Sequence, residues 1–389
     1  MENLFPAFVA VLAGLIFLYR ARTSSTTPKT IPSPSPPPSP AADIVSKESD
    51  FPPDWLASNQ LFELERRAIF SKTWIPLTHK THFPSSGSYH TYTLASIPIL
   101  LIKGKDHRIR AFHNVCRHRA YAVATRESGT STVLGCRYHG WSYNANGRLI
   151  RAPHFDGVQG FERGENGLFE VGVRVGGEGV VWVNMGDCED EKEKEGDLSL
   201  RTRWIGGGKL EGGFNWKGAL RTGYLVDSLG LETLVSGSFI QSLLGYFLPK
   251  AESTHLFPNM FIFTLPSSGC WLSLSFIPAS ERVTSVRYDL YGAVNTKDEP
   301  AQAALGAIEE KVKSTISKLE MEYQSCFNTT GHPTSILQRL DLEHSDTQKQ
   351  ILSLLKAHSK LEKSHGAEIY PARREPRKNV KYQQAEQCL

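Results

Sequence analysis

The chain has 389 residues, 40% hydrophobic and 22% charged, which is ordinary for a globular protein and long enough for two domains with their own cores. A formal charge of +4 over this length gives no basis for a nucleic-acid partner, and the basic residues "ARREPRKNVK" near the C-terminus read as a solvated tail. The six cysteines, Cys116, Cys136, Cys188, Cys270, Cys326 and Cys388, follow no disulfide framework and fit a reducing compartment.

From the N-terminus, Leu4 to Tyr19 is an uncharged run of 16 residues followed at once by Arg20 and Arg22. As a helix it rises about 24 Å, slightly less than the roughly 30 Å hydrocarbon core. The charges flank the wrong side for a cleaved signal peptide, so residues 1–22 are expected to be a single-pass membrane anchor. The basic flank places the rest of the chain in the cytosol, with the endoplasmic reticulum as the expected membrane. Residues 23–50 are rich in Pro and Ser and read as an extended tether.

The body begins at Phe51. "LFELERRAIF" has the spacing of a short amphipathic helix, with Leu61, Leu64 and Ile69 broadly on one side. "SYHTYTL", "IPILLIKG", "IRAFHNV", "STVLGC" and "GVVWVNM" follow as short strands separated by turn residues. They predict an antiparallel β domain over 51–186, closed by an acidic linker at 187–200. The second domain, 201–389, carries strands at "MFIFTL", "CWLSLSFIPA" and "SVRYDLYGAV" and then two helices. Ile308, Val312, Ile316, Leu319 and Tyr323 form one apolar stripe on the first. The second has Ser345 and Gln348 in capping-box spacing, carries Ile351, Leu355, His358 and Leu361, and stops at Gly366. The fold class is α+β, with helices on an antiparallel sheet.

The densest chemistry lies in "CRHRAYAVATRESGTSTVLGCRYHGWSY", residues 116–143. Cys116 and His118 form C-x-H, seventeen residues intervene, and Cys136 and His139 form C-x2-H. Each pair follows a strand-like segment, so two loops can face each other across a metal. Two sulfurs and two imidazoles suit tetrahedral zinc, or a 2Fe–2S centre with the cysteines on one iron and the histidines on the other.

"NVCRHRA" and "CRYHGWSY", with "FSKTWIPL", "RIRAFHNVCRHR" and "GRLIRAPHFDGVQGF" around them, resemble the Rieske-type non-haem iron oxygenases, the ring-hydroxylating and choline-monooxygenase-like enzymes. The resemblance covers about residues 55–185. It implies a 2Fe–2S cluster on Cys116, His118, Cys136 and His139, with both histidines near the surface. Respiratory-type Rieske proteins add a disulfide between the loops. Arg119-Ala120-Tyr121 and Arg137-Tyr138 stand in those regions here, which favours the oxygenase branch. Arg117 and Arg137 are candidates for meeting an acidic electron donor, and Trp141 and Tyr143 are expected to pack beneath the loops. The resemblance further implies a helix-grip-like catalytic domain, a separate flavin- or ferredoxin-type reductase, a small-molecule substrate and a homo-oligomer. No G-x-G-x-x-G follows a strand, which agrees with an external reductase.

The family's second metal, a mononuclear non-haem Fe(II), takes two histidines and a carboxylate. Its histidines follow an "NWK" segment, but no histidine occurs here between His154 and His255. Asp227 and Glu232 are the only acids from Phe214 to Lys250. Glu320, beside the apolar stripe, is the candidate carboxylate; His255 reads as structural, and His344 and His358 are placed on a surface helix without a role. Two explanations stay open. Either the chain is an electron carrier without that iron, or a misplaced splice boundary replaced the ligand segment. The anchor points to an apolar substrate rather than choline, and the resemblance of "LLKAHSKLEKSHGAEIYPARREP" to fungal members points to specialised metabolism.

Overall fold

The computed structural model describes residues 51–155, 157–176, 178–186, 202–221, 223–231, 253–265, 269–296, 298–328 and 345–370. The predicted anchor at 1–22, the tether at 23–50, the acidic linker at 187–200, Glu232 and His344 lie outside them. No helix among the described residues is long and apolar enough to cross a membrane. All of these residues fall within one compact unit, Phe51–Leu389.

Helix α1 (Asn59–Glu65) starts at Ser58, whose hydroxyl accepts from the Leu61 amide at 3.3 Å. It runs into a π turn, Arg66–Phe70, in which Arg67, Ala68, Ile69 and Phe70 are all buried. The predicted amphipathic segment is thus real. Its inward face, however, is Phe62, Glu65 and the π turn, while Leu61 and Leu64 are only partly covered.

Ten strands follow: β1 (Ile75–His79), β2 (Ser88–Leu94), β3 (Ile97–Lys103), β4 (Ile109–His113), β5 (Ser128–Thr130), β6 (Val133–Gly135), β7 (Ser142–Asn144), β8 (Leu149–Arg151), β9 (Glu170–Val175) and β10 (Val180–Asn184). Seven form one sheet in the order β1-β10-β9-β4-β3-β2-β5, and β6-β7-β8 form a small second sheet. The β2–β3 hairpin turns on Ala95 and Ser96, both at positive φ, the twist that a two-residue hairpin needs. The antiparallel β domain expected from the strand spacing is present.

The second half is a five-stranded antiparallel sheet in the order β11 (Thr202–Gly212), β15 (Thr284–Ala293), β14 (Cys270–Pro278), β13 (Met260–Leu265), β12 (Ser253–Leu256). Helix α2 (Tyr224–Leu229) is short; α3 (Asp298–Asn328) and α4 (Asp346–His365) are long. The predicted stripe of α3, Ile308, Val312, Ile316, Leu319 and Tyr323, is buried throughout. Helix α3 lies so close to β11 that a Cβ on Gly206 would stand 2.4 Å from Leu305 Cδ2, hence the glycine there.

Helix α4 begins at Ser345, whose Oγ accepts from the Gln348 amide at 3.2 Å, and ends at left-handed Gly366. Only half of the capping box forms, because the Gln348 side chain donates to the Lys217 carbonyl at 2.9 Å. His358 contradicts the expectation of a surface position. It is 5% exposed, with Nδ1 3.2 Å from Lys72 Nζ and Nε2 3.1 Å from both Glu362 Oε1 and the Ile369 carbonyl. It recurs seven residues after Ile351, so the helical period carries it inward.

One apolar core joins the two sheets, running from Leu77 and Ile99 to Phe276 and Val286. At its centre Glu65 and Lys217, both essentially inaccessible, form an ion pair, and Trp216 Nε1 donates to the other Glu65 oxygen at 2.7 Å. A buried ion pair survives only when its remaining valences are filled. A second seam holds His82, whose Nε2 lies 3.1 Å from the Tyr291 hydroxyl, beside Asp289. Burial, with Arg287 and the neighbouring histidines, pushes His82 down to about 2, and burial takes His79 down to about 4.

Candidate metal centre

Strands β4 and β6 each run into a loop with the same main-chain frame. Cys116 N–H donates to the Tyr121 carbonyl at 2.7 Å and its carbonyl accepts from Ala120 N–H at 3.0 Å. Cys136 N–H donates to the Trp141 carbonyl at 2.8 Å and its carbonyl accepts from Gly140 N–H at 3.0 Å. The offsets are four and five residues in both. The frame needs a left-handed residue four places after the cysteine, which Gly140 supplies without strain and Ala120 adopts at φ 58°. Asn114 locks the first loop from below: its Oδ1 accepts from the Val123 and Ala124 amides, and its Nδ2 donates to the Ala124 carbonyl.

The frames bring both sulfurs into the buried interior of the tip, where Cys116 and Cys136 are 3% and 4% exposed. Burial raises the Cys116 thiol, and Cys136 beside it adds to the rise. The Tyr143 hydroxyl and the His118 amide, both directed at the sulfur, work the other way. Tyr143 is fully buried, with its hydroxyl 3.3 Å from Cys116 Sγ and accepting from the Arg117 amide at 3.0 Å. Its own ionisation is pushed far up, first by burial and then by the sulfur. Expected only to pack, Tyr143 therefore also touches a candidate ligand atom.

The imidazoles lie outside the sulfurs. His118 and His139 have ring centroids 4.6 Å apart at 67°. His139 is exposed, whereas His118 is half-buried and stacked on Trp141 at 5.1 Å and 8°. Both His118 ring nitrogens are shielded from solvent and have no hydrogen-bond partner. A buried, unpartnered imidazole costs about 1–3 kcal/mol, so those atoms belong with a ligand. Burial lowers the His118 pKa, and the neutral ring is the ligating form.

Two cysteine sulfurs and two imidazoles in facing loops fit a 2Fe–2S group, in which each iron takes two protein ligands. Of the nearby arginines, Arg117 lies over the Phe169 ring at 3.7 Å, while Arg119 and Arg137 are exposed.

The candidates for a mononuclear iron are not brought together. Glu320 Oε1 accepts from the Gly213 amide at 2.7 Å. Asp227 is exposed on α2, and Glu322 pairs with Arg221. His255 has Nδ1 3.1 Å from Thr347 Oγ1 and Nε2 3.3 Å from the Pro258 carbonyl, which makes it a structural histidine. The described residues do not fit that second metal. Asn114 is the supporting residue that motif spacing missed, and for Tyr143, expected to pack, it missed the hydroxyl's contact with Cys116 Sγ; a polar side chain just before or after a ligand loop was the available signal.

Residues 73–162 match the family model for the Rieske [2Fe-2S] domain, which contains all four candidate ligands. The chain is 30% identical over 182 residues to the carnitine monooxygenase oxygenase subunit of Acinetobacter pittii, a match covering 43% of this chain and 48% of that protein. It thus spans about half the length of that relative. The fold matches the quaternary ammonium Rieske monooxygenase CntA in complex with L-carnitine (TM-score 0.60, 20% identity, 80% of this chain and 94% of that one). It also matches naphthalene 1,2-dioxygenase with indole bound (TM-score 0.58, 19% identity, 72% and 81%).

Proposed function

From the premise that this chain carries a Rieske [2Fe–2S] domain homologous to oxygenase subunits of Rieske non-haem iron enzymes, we propose that it is an oxidoreductase delivering electrons for the O2-dependent oxidation of a small organic molecule. The observation that carries the reading is the tip itself: two buried cysteines beside an imidazole whose nitrogens have no partner. Cys116 and Cys136 would hold one iron, and His118 and His139 the other. Such a group stores one electron at a time, at a potential raised by its neutral histidines. Tyr143 and the His118 amide stabilise charge on Cys116, Asn114 holds the loop, and Trp141 orients His118.

Written in full, a monooxygenation is RH + O2 + 2 e− + 2 H+ → ROH + H2O. Each turnover then needs two one-electron deliveries from a separate flavin- or ferredoxin-type reductase. The relatives act on, or are complexed with, a quaternary ammonium compound and aromatics, and both classes belong in the substrate panel. The apolar-substrate reading, the cytosol-facing anchor and a specialised-metabolite setting rest on sequence alone, through Leu4–Tyr19 and the C-terminal tail. A homo-oligomeric assembly completes the proposal.

One observation favours a second reading, a Rieske electron carrier without oxygenase activity: no histidine lies between His154 and His255. Reductase-coupled oxygen uptake with the substrate panel separates the two. Substrate-dependent uptake with about three irons per chain supports the oxygenase. About two irons, and electron transfer without uptake, support the carrier.

A further inference from the structure

The stacked pair Tyr121–Tyr138 sits on the outside of the tip. These rings are 52% and 49% exposed, yet they lie face to face with centroids 4.1 Å apart at 25°. Tyr121 closes the first loop and Tyr138 belongs to the second, so the stack is a bridge between the loops. The Tyr138 ring also leans on His139, at 3.9 Å and 60°. From there the contacts continue inward through His118 and Trp141 to Phe155.

The matching frames of the loops explain the layout. Tyr121 and Trp141 occupy the same place, five residues after Cys116 and Cys136. Trp141, from the second loop, turns inward and backs His118 of the first. Tyr121, from the first loop, turns outward and backs His139 of the second through Tyr138. Each loop braces the other's imidazole. The inner brace is fixed by a core that includes Leu134, Leu149 and Trp141. The outer brace is two exposed rings.

We propose that the Tyr121–Tyr138 stack is a positioning clasp that holds the His139 imidazole in its ligating orientation and so governs how readily iron leaves the cluster. This rests on the assignment of Cys116, His118, Cys136 and His139 as ligands. The hydroxyls take no part; the ring faces do.

The test uses reduced, cluster-loaded full-length protein and follows iron release to a ferrous chelator together with the paramagnetic resonance spectrum. Tyr121→Ala and Tyr138→Ala are each expected to speed release at least tenfold and to broaden the resonance lines. The double variant is expected to be no faster than the faster single one, because the two rings act as a unit. Tyr121→Phe and Tyr138→Phe should stay within twofold of wild type with unchanged lines. If Tyr138→Ala assembles no cluster, Tyr121→Ala, which removes only the outer ring, decides the matter. Alanine variants that release iron within twofold of wild type, with unchanged spectra, overturn the clasp and leave the ligand assignment standing. A wild-type protein with no Rieske signal overturns the ligand assignment itself.

Discussion

The tip of the β domain and the "NWK" corner of the C-terminal half both gather polar side chains and use them in opposite ways. At the tip, His118 keeps two buried nitrogens without partners, and Cys116 and Cys136 are held in the interior by matched loop frames. At the corner, charged groups already have protein partners. Glu65 pairs with Lys217, Glu322 with Arg221, and Glu320 takes the Gly213 amide. The His118 nitrogens, set between the loops that carry Cys116 and Cys136, are open to a ligand, whereas the charged groups of the corner are satisfied by the chain and serve structure.

The largest effect expected from that contrast is at the tip. Cys136→Ser should abolish the visible absorbance of the cluster and its bound iron while the fold, read by far-ultraviolet circular dichroism, persists. Lys217→Ala should do the reverse. It leaves Glu65 buried without its cation and should lower unfolding stability by about 3–5 kcal/mol in denaturant titration, with the resonance spectrum of the folded fraction unchanged. Loss of iron from Lys217→Ala at full stability would erase the contrast.

Acid should probe the seam between the sheets. His79 and His82 are held neutral, at about 4 and about 2, against an ordinary value of 6.5. The unfolded chain therefore binds more protons as pH falls below 6.5. Stability from these two groups is fully present above that value and is lost as pH falls toward their folded values, by about 1 kcal/mol per pH unit for each. Denaturant midpoints from pH 7.5 to 4.5 measure the slope, and His82→Gln should flatten it. A smaller effect belongs to Tyr143→Phe, which removes a hydrogen bond to sulfur and should lower the reduction potential by tens of millivolts, on the order of a tenfold change in equilibrium constant. Smaller still, Glu320→Gln should leave iron content unchanged and cost about 1 kcal/mol of stability.

How much of this could be read from residues alone follows from how local each feature is. Cys116, His118, Cys136 and His139 are close in sequence, so their spacing announced the centre. Strands β2 and β13 match their alternating or apolar runs, and the α3 stripe is buried as its period requires. Strand β11 escaped notice because Gly206, Gly207 and Gly208 erase its side-chain alternation; the glycines answer to helix α3 and to Tyr288, far away in sequence. His358 was misplaced because its partners Lys72 and Glu362 are joined only by folding. Leu361, named with Ile351 and Leu355 on that helix, is 39% exposed where those two are buried. Asn114, and the hydroxyl contact of Tyr143 beyond its expected packing, escaped for the same reason as His358: these roles lie in hydrogen bonds across turns, not in a motif.

The most direct measurement of the central claim is combined iron and acid-labile sulfide analysis of the purified protein, with resonance spectroscopy after reduction. The expected result is at least two irons and two sulfides per chain, with the low average g of a cluster carrying two histidines. Zinc in their place, or a reduced protein with no such resonance, would contradict it.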